Sequence, residues 1–241
     1  MARKSTRKRD VEQALMDAAM ELAAERDWDA ISLRDIAEHA GVSLAQARAH
    51  ACCRGDILRR LEQRLDEALL ESLEKEPPQG EAIDRLFDII MRRLELLAPY
   101  RAAVRRLLNQ PLTLLADCPL LLPGALASRQ WMLAAAGVEK PGLEGKARLC
   151  GLQWVYLKAL RAWVNDDDPG LSRTMATLDK ALRRGEAWLK RGEAPLRALD
   201  GLRRLTQQTL CTLAGLATGG EQGGAKTSEP PRQDEPAAKE S

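Results

Sequence analysis

Apolar residues recur along the chain at spacings of three and four, which is the pattern of amphipathic helices. The first such face is formed by Val11, Ala14, Leu15, Ala18, Ala19, Leu22 and Ala23. Two later faces are formed by Leu86, Ile89, Ile90, Leu94 and Leu97, and by Leu149, Leu152, Val155, Tyr156 and Leu160. Aromatic residues make up only 3% of the chain, so residues that favour strands are scarce. The pattern predicts an all-α protein.

Breaks in this pattern divide the chain into five segments. We expect a basic disordered arm at 1–9, a first helical domain at 10–58, a connecting helix and Pro-containing linker at 59–79, a larger helical domain at 80–216 and a disordered tail at 217–241. The paired prolines Pro77 and Pro78 mark the linker because proline cannot continue a helix. The tail has too few apolar residues to offset the entropy of ordering.

The segment 31–46 predicts two short helices joined by a tight turn. Ser32 can cap the first helix with Asp35 three residues on, and Ser43 with Gln46 forms a Ser-x-x-Gln capping box for the second. Gly41 lies where the first helix must stop. The second helix then points its first turn outward, where side chains can reach base edges in a DNA major groove. An ordinary pair of helices in a bundle core is the alternative.

The basic segment before the first helix favours the DNA interpretation. A flexible cationic arm can lie along phosphates or enter a minor groove, and Arg3, Lys4, Arg7 and Lys8 supply the charge. The net charge of the whole chain is no guide, because 37 Lys+Arg nearly balance 35 Asp+Glu.

Two runs of the sequence carry a family resemblance, namely Ser32-Leu33-Arg34-Asp35-Ile36-Ala37-Glu38-His39-Ala40-Gly41-Val42-Ser43 and Arg54-Gly55-Asp56-Ile57-Leu58. Both runs resemble the DNA-binding domain of the TetR family of transcriptional regulators. The resemblance covers roughly residues 8–70. It implies a TetR-like fold, in which a three-helix helix-turn-helix domain at 10–58 precedes a helical ligand-binding and dimerisation bundle. It also implies a homodimer that binds double-stranded DNA.

The resemblance implies a set of DNA contacts. Ser32 and Arg34 would meet the DNA backbone, and Gln46 would pair with adenine through its amide. Arg54 stands where the family commonly has a phosphate-gripping lysine. The family's Tyr-x-x-Phe signature is replaced by Arg48-Ala49-His50-Ala51, where Arg48 can supply a charged phosphate contact. The predicted DNA-binding residues are Arg3, Lys4, Arg7, Lys8, Ser32, Arg34, Ser43, Leu44, Ala45, Gln46, Arg48, His50 and Arg54.

The second half of the chain resembles a different family. Three stretches carry this resemblance, namely Leu96-Leu97-Ala98-Pro99-Tyr100-Arg101, Trp131-Met132 and the run from Tyr156 to Pro169. They are similar to the C-terminal domain of COQ9-type proteins, over about residues 81–190. Those proteins share the TetR fold but bind lipids and support ubiquinone biosynthesis. The resemblance implies an alternative function, a lipid-binding accessory protein with a vestigial helix-turn-helix that can meet a membrane surface.

Several aromatic and large apolar residues of the C-terminal domain could line a cavity for a small apolar or lipid-like ligand. The candidates are Met91, Tyr100, Trp131, Trp154, Tyr156 and Trp163. Plain core packing is the alternative for each of them. The helix expected at 195–216 could be a dimer contact, a lid or a membrane-surface helix.

Enzyme and metal interpretations find little support in the sequence. There is no phosphate loop, no GxGxxG motif and no nucleophile elbow, and the five cysteines lack metal-ligand spacing. Asp168 before Pro169 is better explained as a helix start than as a metal site. We therefore expect a cytoplasmic transcriptional regulator of the repressor type, without catalytic residues, metal or cofactor, that a small ligand releases from DNA.

Overall fold

The computed structural model of the chain describes residues 2–110, 121–188 and 191. These residues form helices and turns, with no strand in the described ranges. The helices are α1 Ala2–Glu25, α2 Leu33–His39, α3 Leu44–His50, α4 Arg54–Lys75, α5 Ala82–Leu96, α6 Arg101–Leu108, α7 Leu121–Ala135, α8 Gly142–Val164, and α9, which begins at 172 and is described to 188. Short 3₁₀ turns lie at Trp28–Ala30 and Ala98–Tyr100.

The first helix is longer than the sequence pattern predicts. α1 begins at Ala2, so residues 2–9 are helical and differ from the disordered arm expected there. No proline or glycine interrupts this stretch, and arginine and lysine are good helix formers. The basic segment therefore continues the helix that carries the first apolar face.

The apolar face of α1 is the centre of the N-terminal domain. Leu15, Met16 and Leu22 are buried, and α1 packs against α2, α3 and α4. Trp28 and Ile31, which follow α1, are each 1% exposed and close one end of this core. Full burial of each large side chain contributes about 1.5–3 kcal/mol, so this core holds the two short helices in place.

The core of the C-terminal domain continues directly from that of the N-terminal domain. α4 runs on from the first domain and packs against α5 and α7, while α8 contacts α6 and α7. Leu152, Tyr156 and Trp163 of α8 are all buried. α9 adds Leu178, Ala181 and Leu182 to the same core. α4 ends at Lys75, immediately before Glu76 and the paired prolines.

A polar joint ties α1 to the segment around α6. The Tyr100 hydroxyl donates to the Asp17 carboxylate at 2.7 Å and accepts from the Gln13 amide at 3.3 Å. Burial and the Asp17 carboxylate raise the pKa of Tyr100 to about 12. At the other end of α6, Gln110 and Arg106 both donate to the Asp27 carboxylate.

The start of α9 differs from the helix start predicted at Asp168 and Pro169. The helix begins at 172, and Asp166 caps it by accepting from the backbone N–H of Thr174 at 2.7 Å and from its hydroxyl at 2.6 Å. Asp168 instead accepts from the backbone N–H groups of Gly170 and Ser172. These hydrogen bonds lower the pKa of Asp166 and of Asp168. The predicted helix at 195–216 and tail at 217–241 lie outside the described residues.

Candidate functional site

The turn between α2 and α3 is built from two reciprocal capping boxes. The Ser32 hydroxyl accepts from the backbone N–H of Asp35, whose carboxylate accepts from the backbone N–H of Ser32 at 2.8 Å. These hydrogen bonds lower the pKa of Asp35. Ser43 and Gln46 repeat the arrangement at the start of α3, where the Gln46 Oε1 accepts from the backbone N–H of Ser43 at 2.9 Å. Each box satisfies backbone donors that the first turn of a helix leaves unpaired.

Gly41 makes the turn between these two helices possible. Its φ is +66°, a left-handed conformation that side chains other than glycine adopt only with strain. The backbone N–H of Val42 then reaches back to the carbonyl of Ala37 at 2.9 Å, which closes the end of α2. The chain leaves this turn extended at Ser43 and enters α3.

The outer surface of α3 is exposed and carries no acidic residue. Ser43, Ala45 and Gln46 are exposed, and Leu44 keeps 47% of its surface accessible. Arg48 is also exposed, with its guanidinium 3.6 Å from the Cys52 Sγ. Only Ala47 and His50 of this helix are buried. The helix therefore presents its amino-terminal turn and a cation outward, which a major groove can accept.

Ser32 and Arg54, two of the residues predicted to contact the DNA backbone, lie at one hollow next to this surface. The hollow has a volume of about 540 Å³ and lies between the starts of α2 and α4, with Ser32, Leu33, Cys52, Cys53 and Arg54 in its wall. Arg34 is exposed nearby and pairs with Glu38 at 3.9 Å. An ion pair this exposed contributes little stability, so Arg34 is readily available to another anion.

Arg54 has a role that differs from the predicted phosphate grip. Its guanidinium donates to the carbonyl of Trp28 at 2.6 Å and to the carbonyl of Ile31, and it lies over the Trp28 ring at 5.6 Å. These contacts join the start of α4 to the turn after α1. The side chain is thus engaged with the protein in this conformation, and no sequence motif indicates the carbonyl partners.

His50 does not lie on the exposed face where the sequence places it. It is 9% exposed at the end of α3, and its Nδ1 atom has no hydrogen-bond partner among the described residues. Ala51, which replaces the larger aromatic of the family signature, is buried as well. An α-helix turns by about 100° per residue, so the two-residue step from Arg48 to His50 turns by about 200° and moves His50 to the inner face. The side chains of Arg3, Lys4, Arg7 and Lys8 lie outside the described residues.

A buried charge cluster lies between α4, α5 and α7, and the sequence reading did not identify it. Arg93 is 0% exposed and binds Asp66 and, at 2.7 Å, Glu62. Arg129 is 1% exposed, pairs with Glu62 at 3.4 Å and stacks on the Tyr156 ring at 3.6 Å. The only signal for it in the sequence is the pair Glu62 and Asp66, four residues apart beside the leucines of α4.

Charge compensation holds Glu62 and Arg93 of this cluster in their ionised forms. Burial opposes ionisation of Glu62, but Arg93 and Arg129 outweigh it and hold the pKa of Glu62 below its usual value. Burial also raises the pKa of Asp66, against the effect of Arg93 and the Ser128 hydroxyl. The pKa of Arg93 is raised despite burial, because Glu62, Tyr156 and Asp66 stabilise the cation. The cluster fixes α4 against α5 and α7 through charges that cannot be separated without a large penalty.

The six residues predicted to line a ligand cavity do not come together. Tyr156 and Trp163 are core residues, stacked with Arg129 and Arg101, and Tyr100 belongs to the joint with α1. Met91 packs against the core, and Trp131 is 57% exposed. Trp154 alone among the six lines a cavity that the described residues form. The 3.6-residue period explains why Trp154 is separate from the other two aromatic residues of α8. Tyr156 and Trp163 are seven residues apart and share one side of the helix, whereas Trp154 lies on nearly the opposite side.

That cavity has a volume of about 520 Å³ and lies between the start of α5, the end of α7, the middle of α8 and α9. Its wall is mostly apolar, with Leu86, Leu133, Leu152, Val155 and Leu182 among the lining residues. Arg148, Arg184 and Glu186 are the charged residues at it. Elsewhere in the described part of the chain, no group of three or more His, Cys, Asp or Glu residues could hold a metal ion.

The family described as "Bacterial regulatory proteins, tetR family" matches residues 15–45, which span α1, α2 and the start of α3. A TetR transcriptional regulator from Nitrosomonas europaea ATCC 19718 has a similar structure, with a TM-score of 0.58 and 25% identity over 73% of this chain and 98% of that chain. The chain has the fold and the helix-turn-helix of the TetR family. The predicted fold class, an all-α protein with this domain ahead of a helical bundle, is thereby confirmed.

Two further TetR structures show the same fold at lower identity. A regulator from Rhodococcus sp. RHA1 has a TM-score of 0.55 and 18% identity over 74% of this chain and 97% of that chain. A regulator from Streptomyces coelicolor has a TM-score of 0.50 and 18% identity over 86% of this chain and 98% of that chain. No curated protein matches the sequence.

The TetR-type match ends inside α3, just before Gln46. The departures from the family signature, from Arg48 to Ala51, therefore lie beyond the matched residues. Among the described helices, none combines the length and the apolar character that crossing a bilayer requires.

Proposed function

We propose that the chain is a transcriptional repressor that binds operator DNA as a homodimer and leaves it when a small apolar ligand enters the C-terminal domain. The observation that carries this proposal is the surface of α3. This helix begins with a reciprocal capping box, and its outer residues are exposed and include Arg48 but no acid. A helix presented in this way fits a major groove, and its amino-terminal turn is the part that reaches base edges.

Contacts to the DNA backbone would surround this helix. Ser32 and Arg34 stand at the start of α2, and Arg48 stands on α3. We assign phosphate contacts to these side chains and, because of their positive charge, to Arg3, Lys4, Arg7 and Lys8. Arg54 would contribute through its position at the start of α4, with its guanidinium held by backbone carbonyls. We assign no DNA contact to His50, because its side chain is buried.

A homodimer would present two copies of the proposed recognition helix, α3, to the DNA. Large apolar side chains remain exposed on α8 and α9, namely Trp154, Met175 and Trp188. A contiguous patch of exposed apolar residues is typical of a surface that a partner covers, and we propose that these three belong to one. A two-fold interface there would place the two recognition helices about one DNA turn apart. Sedimentation equilibrium of the full chain tests this step, and a monomer at all concentrations would contradict it.

Release from DNA would follow from unequal ligand affinity. A ligand that binds better to a conformation with misspaced recognition helices shifts the population toward that conformation. α4 joins the two domains in one helix, and the charge cluster of Glu62, Asp66 and Arg93 fixes it against α5. A change in the C-terminal bundle therefore has a direct mechanical route to the helix-turn-helix.

The experiment that tests DNA binding is a titration of the full chain with its own upstream DNA across a salt series. Phosphate contacts release counterions, so affinity should fall steeply as salt rises. Arg48→Ala should make the slope less steep by about one contact per protomer, which is about two for the proposed homodimer. Arg161→Ala, an exposed arginine on α8, is the control that should leave the slope unchanged. Affinity that does not depend on salt would contradict the proposal.

The COQ9-type alternative, a lipid-binding accessory protein with a vestigial helix-turn-helix, stays a prediction that no comparison supports. Flotation with liposomes separates it from the repressor proposal, because a lipid carrier should float with vesicles and a repressor should not. The absence of catalytic activity expected from the sequence is consistent with TetR-type regulators, which are DNA-binding proteins.

A further inference from the structure

Gly151 lies in the interior of α8, where glycine is unfavourable. It is less favourable there than alanine by about 1 kcal/mol, and close packing is the usual reason for retaining it. Packing does not explain this position, since a Cβ added at Gly151 would meet no described atom within 4 Å. A side chain would instead project into the cavity between α5, α7, α8 and α9, whose wall Gly151 forms.

The shape of this cavity suits the chain of an apolar molecule. Its volume of about 520 Å³ lies within the range of about 300–1,000 Å³ that ligand pockets occupy. Its wall includes Ile83 and Leu86 of α5, Val155 of α8 and Leu182 of α9. Gly151 leaves the middle of the α8 wall free of side-chain atoms, and so adds width where an inserted chain would pass.

The charged residues at the cavity differ in how they are engaged. Arg148 pairs with Glu144 one turn earlier on α8, at 2.8 Å. Arg184 of α9 is exposed and makes no ion pair or hydrogen bond within the described part of the chain. The charged lining residues are these two arginines and one glutamate, Glu186. A guanidinium in this position favours a carboxylate, sulfate or phosphate over a cation.

We propose that this cavity binds a single-chain amphiphile with an anionic head, its alkyl chain beside Gly151 and its head at Arg184. This inference names the ligand class of the C-terminal domain and rests on the proposed function only in giving that ligand a regulatory role. Binding itself requires neither DNA nor a dimer, so it is measured separately.

The test of the alkyl-chain position uses the full chain and dodecanoate, titrated below its micelle concentration and followed by calorimetry and tryptophan fluorescence. Gly151→Ala should raise the thermal midpoint, because alanine favours helix, and should leave most of the affinity. Gly151→Leu should weaken dodecanoate binding by about tenfold or more, because its side chain occupies the space of the ligand. Equal affinity in Gly151→Leu and the natural chain would overturn the proposal.

The test of the head position compares head groups of different charge on the same alkyl chain. Dodecanoate and dodecyl phosphate should bind, and dodecanol and dodecyltrimethylammonium should bind at least about tenfold more weakly. Arg184→Gln should remove this preference, while Arg173→Gln, an exposed arginine of α9 outside the cavity, should keep it. A cationic probe that binds as tightly as dodecanoate, or no binding of any probe, would overturn the assignment.

A third measurement separates this inference from the proposed function. Dodecanoate is added to the complex of the full chain with its upstream DNA. If dodecanoate binds the protein at Arg184 but leaves the complex intact, the ligand site stands and ligand-induced release fails. If the chain binds no DNA, the repressor proposal fails while the amphiphile titration still decides the site.

Discussion

Gln46 caps α3 with the same amide group that the proposed contact with adenine would use. Its Oε1 accepts from the backbone N–H of Ser43 at 2.9 Å and so completes the cap of α3. A bidentate contact with adenine needs the same oxygen as an acceptor and the Nε2 group as a donor. An amide oxygen has two lone pairs, so it can keep the cap and accept from the base at the same time.

Two substitutions separate these roles. Gln46→Glu keeps an acceptor for the capping box but replaces the amide donor with a carboxylate, so DNA affinity should fall with little loss of thermal stability. Gln46→Ala should reduce the preference for upstream over scrambled DNA by about 1–3 kcal/mol. Fluorescence anisotropy with both duplexes measures the two effects. An unchanged preference in Gln46→Ala would show that this side chain reads no base.

Tyr100 gives the joint between α1 and α6 a distinct alkaline titration. Its folded-state pKa is raised to about 12, from an ordinary value of 10.0. A group raised in this way stabilises the fold fully below the unfolded pKa, and that stability is lost as pH rises from about 10 through about 12. The natural chain should therefore lose its stability advantage over Tyr100→Phe across this window. Urea unfolding on either side of the window measures the difference, and a constant difference would contradict the raised pKa.

Sequence reasoning succeeded at residues whose role is local and failed at residues whose role depends on distant partners. The Ser43 and Gln46 cap could be predicted because both members lie within one turn of helix. The engagement of Arg54 with carbonyls at Trp28 and Ile31 could not, since those partners are more than twenty positions away and carry no side-chain signature.

At the scale of elements, α4 is the helix that belongs to both parts of the molecule. Its first turn borders the proposed DNA surface, and Glu62 and Asp66 in its middle bind the buried Arg93. The leucines of α4 predict a buried face, and Leu61, Leu65 and Leu69 are buried. The two acids on the neighbouring positions appear solvated from sequence alone, because their cationic partners come from α5 and α7.

Removing Arg93 should destabilise the fold strongly. Arg93→Met leaves two carboxylates without their main cation in the interior, and breaking a buried pair in this way costs about 3–5 kcal/mol. Arg64→Met is the matched control on α4, because Arg64 is half-exposed and its ion pair with Glu67 is long, at 3.7 Å. The control should change stability by about 1 kcal/mol or less. Similar urea midpoints for the two variants would show that the cluster contributes little.

The C-terminal elements show where a periodic pattern stops being informative. α8 is apolar on more than one side, so the sequence predicts burial without saying which residues face one another. Aromatic type then suggested a cavity at Tyr156 and Trp163, whereas both pack in the core. The cavity lies instead beside Gly151, a residue that no pattern of large apolar side chains could identify.

At the scale of the whole described molecule, the proposed DNA surface and the proposed ligand cavity lie at different places and are connected by two routes. One route is α4 with its buried charges, and the other is the polar joint of Tyr100, Asp17 and Gln13 between α1 and the start of α6. Ligand control of DNA binding requires that the two conformations differ in affinity for both molecules. The two routes give such a difference a physical path, because neither is a flexible linker.

The central claim is that the outer surface of α3 lies against DNA, and Ala45→Glu tests it most directly. Ala45 is exposed, and a carboxylate in the first turn stabilises a helix because it interacts favourably with the helix dipole. The variant should therefore fold normally. Its carboxylate would face phosphates and base edges, so binding to the upstream DNA should be lost, while Ala134→Glu on α7, also exposed, should bind normally. Wild-type affinity in folded Ala45→Glu would contradict the account.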